Sequence, residues 1–147
     1  MTNYEKSNSI EEVRLNSFNK TYYSKLLKCK DSARERQIAS QELINYLCDK
    51  FKIKKVPVYV KDWSQPHRVN ENGKMKSKTF GRYWVHNRIE IWNKTAIRNQ
   101  VISINVFADT LIHEFIHHYD TYVLGIDSIH SAGFYKRISD LTNKLKL

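Results

Sequence analysis

The chain has 147 residues, 41% hydrophobic and 12% aromatic, with 25 Lys and Arg against 15 Asp and Glu for a formal net charge of +10. That length and composition suit one domain with a sizeable core and exclude a disordered polyelectrolyte. No apolar run approaches the roughly 20 residues of a membrane helix, and Met1-Thr2-Asn3-Tyr4-Glu5-Lys6 lacks the apolar stretch of a secretory signal. The expectation is a soluble, cytoplasmic protein with no membrane partner, its Cys29 and Cys48 ordinary reduced thiols in two helices.

In chain order, Ser9 to Glu12 reads as a capping box opening a first helix that runs to about Lys28. Asp31 suits the N-cap of a second helix whose apolar residues include Ala39, Leu43, Ile44, Leu47 and Phe51. Residues 1–52 thus form an N-terminal helical part that packs and supports. Val56-Pro57-Val58-Tyr59-Val60 is a short β-branched run, with Pro57 placing it at the start or edge of a strand. Lys61 to Lys78, with Pro66 and Gly73, reads as a loop. Thr79–Val85 and Arg88–Trp92, joined by His86-Asn87, predict an antiparallel hairpin. After a connection over Lys94–Val101 comes a helix from Ser103 to Val123, then a loop from Leu124 to Ser131. A last helix, Ala132 to Leu145, carries Phe134, Ile138, Leu141 and Leu145 on one face. The fold class is α+β: N-terminal helices, a small antiparallel sheet and two C-terminal helices, with 53–147 as the core of one folded domain.

Lysines and arginines concentrate in the middle third: Lys52, Lys54, Lys55, Lys61, Arg68, Lys74, Lys76, Lys78, Arg82 and Arg88. Such a field attracts polyanions, DNA foremost, through phosphate neutralisation. The plainer alternative is a lysine-biased surface with no partner.

The Ser103–Val123 helix has an apolar stripe from Ile104 through Phe107, Leu111, Phe115 and Tyr119, and an opposite side with Asp109, Thr110, His113, His117 and Asp120. His113-Glu114-Phe115-Ile116-His117 is an H-E-x-x-H pentad. Residues four apart stack on one helix face, so both imidazoles can reach one Zn2+ ion at about 2.0–2.1 Å. Glu114 then stands beside the ion as a general base for an activated water without being a ligand. The competing reading is a solvated helix face with two ordinary histidines. A third ligand is needed, and Asp120, Asp127, His118 and His130 are the candidates. His118 points about 100° from His117 and reads as a surface or supporting residue. Asp120 suits orienting a ligand imidazole. Asp127 and His130 both sit in the loop that could fold back.

Two segments resemble the SprT-like zincin metallopeptidases, the family related to the Spartan proteases that cleave proteins crosslinked to DNA. One is the pentad followed by His130-Ser131-Ala132-Gly133-Phe134, similar to the family's H-E-x-x-H and downstream H-x-x-x-F. The other is Phe80-Gly81-Arg82-Tyr83-Trp84 with Arg88-Ile89-Glu90-Ile91, similar to its hairpin ahead of the active helix. The resemblance implies a zincin-like core, His130 as third ligand, Glu114 as general base, Zn2+ as cofactor and a protein or peptide substrate. Arg82 and Tyr83 are candidate substrate contacts beside the cleft. The alternatives are a basic nucleic-acid-binding domain without protease activity, an ImmA-like repressor-cleaving zincin with an acidic third ligand, and a regulatory pseudoprotease.

Overall fold

Thr2, not Ser9, opens the first helix. The computed structural model describes residues 1–65 and 80–147 in full and the backbone of 68–69 and 75–77. The Thr2 hydroxyl accepts from the Glu5 N–H and starts α1 (Asn3–Ser9), while the Ser9 hydroxyl turns back onto the Lys6 carbonyl. The expected helix from Ser9 to Lys28 is instead an irregular strap over residues 10–20 followed by a short α2 (Thr21–Leu27). The cause is competition for backbone hydrogen bonds. The N–H groups of Val13, Arg14 and Asn19 donate to Asp140, Tyr119 and Tyr46, and the carbonyls of Ile10, Val13 and Leu15 accept from Arg137 and Lys144. Distant side chains satisfy groups that a helix would have satisfied internally. The next helix, α3 (Ala33–Phe51), is capped by Ser32 rather than its neighbour Asp31. Cys29 lies just beyond α2 rather than within a helix, Cys48 is buried in α3, and both are free thiols.

The first strand, β1 (Val58–Ser64), carries on through Lys61–Ser64, where a loop was expected. Beyond it β2 (Arg68–Val69) and β3 (Met75–Ser77) pair as a separate antiparallel ribbon. The rest of that expected loop, including Pro66, Gly73, Lys74 and Lys78, lies outside the described residues, as do the side chains of Arg68 and Lys76. The hairpin forms as expected from β4 (Gly81–Trp84) and β5 (Arg88–Lys94). The sheet, however, is mixed. Its order is β1-β5-β4, and β1 runs parallel to β5. The pairs Val58↔Ile89 and Val60↔Ile91 align core-facing residues across the two strands. The outer edge of β1 is closed by α3: Gln37 donates to the Val58 carbonyl and accepts from the Val60 N–H, and Gln41 does the same for Val56 and Val58. β4 forms the opposite edge.

Ser103 caps α4 (Ile104–Tyr119), which continues into a π-helical turn, Asp120–Leu124. That turn ends at Gly125, whose φ of 65° is left-handed backbone that glycine adopts without a Cβ penalty. A loop leads to α5 (Ala132–Leu145), capped by Ser131. α5 packs closely on the first helix: a Cβ on Gly133 would lie 2.3 Å from the Ser7 carbonyl oxygen. Leu43, Ile44 and Leu47 of α3 join Ile89, Ile91, Phe107, Leu111 and Phe115 in one fully buried cluster. Each contributes about 1.5–3 kcal/mol through burial, and residues 1–52 share this core with 53–147. Among the described residues no helix is long and apolar enough to cross a membrane.

Candidate metal centre

The α4 backbone places His113 and His117 one turn apart, and the loop before α5 returns His130 to meet them. His130 Nε2 lies 3.3 Å from His113 Nε2 and 3.1 Å from His117 Nε2. One ring nitrogen carries at most one proton, so these contacts cannot all be good hydrogen bonds. Nitrogens bound at 2.0–2.1 Å to one tetrahedral ion would stand about 3.3–3.4 Å apart, close to what the three rings already adopt. Among the described residues these three histidines are the group whose ligand atoms come within 4.8 Å of one another. They could therefore hold a metal ion. They line a cavity of about 520 Å3 with Glu114, Gly81, Tyr83, Asp127 and Ser128.

The ring of His117 is held from behind. Its Nδ1 lies 2.7 Å from Ser128 Oγ, and the Ser128 hydroxyl donates to Asp120 Oδ2 at 2.7 Å. A hydroxyl that donates to the carboxylate must accept from the imidazole, so the proton of His117 sits on Nδ1 and the Nε2 lone pair faces the cavity. Asp120 itself is fully buried and takes a two-pronged contact from Arg137, Nε to Oδ1 at 3.0 Å and Nη2 to Oδ2 at 2.9 Å. Burial raises the Asp120 pKa, while Arg137 and Ser128 pull it down. Arg137 also donates to the carbonyls of Ser7 and Ile10, tying the N-terminal strap to this network. Asp120 was expected to face the metal and orient an imidazole. Its carboxylate does reach the His117 imidazole, but from within the core and through the Ser128 hydroxyl rather than from the metal-facing side.

Burial drives the His117 pKa down to about 3, with His113 and His130 adding like-charge repulsion. His113 is lowered as well, first by burial and then by His130. Neutral rings are the form a metal requires. Phe134 packs against all three imidazoles, with ring centroids 4.5 Å from His117, 5.1 Å from His113 and 5.2 Å from His130.

Glu114 is buried, its Oε2 has no hydrogen-bond partner among the described residues, and burial lifts its pKa to about 7. Gly81 makes room for it: a Cβ there would come within 3.1 Å of Glu114 Cγ and 2.5 Å of Thr110 Cγ2. His118, expected as a surface or supporting residue, is buried and links the segment before β1 to β4. Its Nε2 meets the Lys54 carbonyl at 2.6 Å, so its Nδ1 accepts from the Tyr83 hydroxyl at 2.9 Å. The Tyr83 proton is thus engaged, and its ring lies nearly parallel to that of His117. Arg82 lines the cavity rim while its guanidinium stacks on Trp84. Asp127 also lines the cavity, but it is exposed, stands outside the histidine cluster, and is tied through its backbone N–H and carbonyl to Asn3.

Sequence reasoning missed Ser128 and Arg137. A serine in a loop carries no pattern. Arg137 did carry one, since it interrupts the apolar face of α5 between Phe134 and Leu141, where a buried partner is required. Compared with protein-family models, with curated proteins and with solved structures, the chain matches none.

Proposed function

We propose that the protein is a zinc-dependent peptidase of the SprT-like zincin type, with Glu114 as general base. The observation that carries this reading is the meeting of three imidazole nitrogens beside a buried, unpartnered carboxylate oxygen on one cavity wall. An all-nitrogen donor set favours zinc over magnesium or calcium, which take oxygen ligands. His113, His117 and His130 would hold the ion and leave its fourth position open, as catalytic zinc requires. A bound zinc supplies Lewis acidity, acidifying a water and polarising a carbonyl. Glu114 accepts a proton from the attacking water and returns it to the leaving amide nitrogen. The water oxygen ends on the carbonyl carbon as the C–N bond breaks, giving an acid and an amine. Ser128 and Asp120 keep His117 in the tautomer the site needs.

A protein or peptide substrate lies extended along the β4–β5 hairpin, beside the cavity. Arg82 and Asp127 flank the path as exposed rim contacts. An ImmA-like centre would want an acidic third ligand, and the position of Asp127 outside the cluster speaks against it. The test is cleavage of an unfolded protein substrate by zinc-loaded protein, with and without chelator. Chelation should stop cleavage and zinc restore it, while Glu114→Gln should keep zinc and lose activity on the order of 100-fold or more. Undiminished cleavage by Glu114→Gln would remove that residue from its role.

A further inference from the structure

The sheet face turned away from α4 carries a pattern that peptide hydrolysis does not use. Val58, Val60, Ile89 and Ile91 point to the core, so strand alternation sends Tyr59, Lys61, Arg88, Glu90, Arg82 and Trp84 outward. The register sets Tyr59, Glu90 and Arg82 in one cross-strand row and Trp84 opposite Arg88 in the next. Lys61 Nζ lies 5.5 Å from the Trp63 ring, and the guanidinium carbons of Arg82 and Arg88 lie 3.9 and 4.6 Å from that of Trp84. Tyr59 and Trp63 are 50% and 54% exposed, so one strand holds two large rings in water with a lysine between them. They border a groove of about 510 Å3 with Gln37, Arg88 and Glu90. Glu90 is ion-paired with Arg88 and lies 4.0 Å from Lys61. Among the described residues, the three cations Lys61, Arg82 and Arg88 meet one carboxylate, Glu90, which leaves the patch with two surplus positive charges.

We infer that this face binds single-stranded nucleic acid, with bases stacked on Tyr59 and Trp63 and phosphates met by Lys61, Arg82 and Arg88. Exposed rings interleaved with cations are the arrangement that holds an unpaired strand without reading its sequence. A duplex hides its base faces and cannot use the rings, whereas an acidic peptide would use the cations alone. The overall charge of +10 draws a polyanion toward the surface. The patch shares only Arg82 with the rim of the metal cavity, and its occupancy does not depend on a metal.

The experiment is fluorescence anisotropy with labelled 15-nucleotide oligo-dT and oligo-U at two salt concentrations, and with a duplex and poly-glutamate as competitors. Trp63→Ala and Tyr59→Ala should each weaken binding on the order of tenfold, with Trp63→Phe retaining most of it. Lys61→Glu should weaken binding and flatten its salt dependence. Lys28→Glu, which makes the same charge change outside the patch, should weaken binding less than Lys61→Glu does. Circular dichroism verifies that each variant is folded. Unaltered affinity in both ring-deletion variants would overturn the proposal, as would equal loss in Lys28→Glu. Poly-glutamate competing as well as oligo-dT would assign the surface to acidic peptides, and a duplex doing so would remove the stacking role.

Discussion

Asp120 stands two hydrogen bonds from His117, with the Ser128 hydroxyl as the only atom group between them. A carboxylate thereby fixes an imidazole tautomer from within the core, without joining the three-histidine donor set. Ser128→Ala removes that link and leaves the fold intact. The expected outcome is zinc binding weakened about 10- to 100-fold, read by competition with a chromophoric chelator. An unchanged affinity would show that packing against Phe134 and Tyr83 orients the ring by itself.

Arg137→Met leaves the Asp120 carboxylate buried without its cation. Breaking such a pair on one side costs about 3–5 kcal/mol, and here the carbonyls of Ser7 and Ile10 lose their donor too. The double variant Arg137→Met with Asp120→Leu should be less destabilised than the single one, since no uncompensated charge remains. Urea unfolding of the three proteins checks both statements.

Gly133→Ala should destabilise the protein by about 1–3 kcal/mol, because the new methyl meets the Ser7 carbonyl at 2.3 Å and backbone must yield. The strain falls where α1 also holds the loop through Asn3 and Asp127, three residues before His130. A reduced urea midpoint should therefore come with weaker zinc binding. A loss of stability with full affinity would separate α1 from the three-histidine site.

Metal-free protein should show the cost of burying Glu114. Its folded pKa of about 7 exceeds its ordinary 4.5, so the folded state binds the proton more tightly than the unfolded state. The associated stability is complete below about pH 4.5 and is lost as pH rises toward 7. Glu114→Gln is spared that loss. Relative to the parent its stability should rise between pH 5 and pH 8 by up to about 3 kcal/mol. Equal differences at the two pH values would contradict a desolvated carboxylate.

The elements legible in the sequence were those set by local patterns. The 3.6-residue stripe placed α4 and α5, two strand-like runs joined by the tight polar junction His86-Asn87 placed the β4–β5 hairpin, and the pentad spacing put His113 and His117 on one helix face. The N-terminal strap was illegible because Asp140, Tyr119, Arg137 and Lys144, more than 100 residues away, settle its backbone hydrogen bonds. The parallel pairing of β1 with β5 was hidden for a similar reason, since nothing within Val58–Ser64 states its partner's direction. At the site, the residues alone left His130 and Asp127 open and only the family resemblance pointed to His130, because the π-helical turn and the Asp127–Asn3 bond that shape the returning loop leave no periodic trace.

Metal content of the purified protein tests the central claim most directly. Elemental analysis after equilibration with zinc should give one ion per chain for the parent and for Asp127→Ala, and a site weakened at least tenfold in His130→Ala. Full zinc occupancy in His130→Ala, or no bound metal in the parent, would contradict a three-imidazole centre.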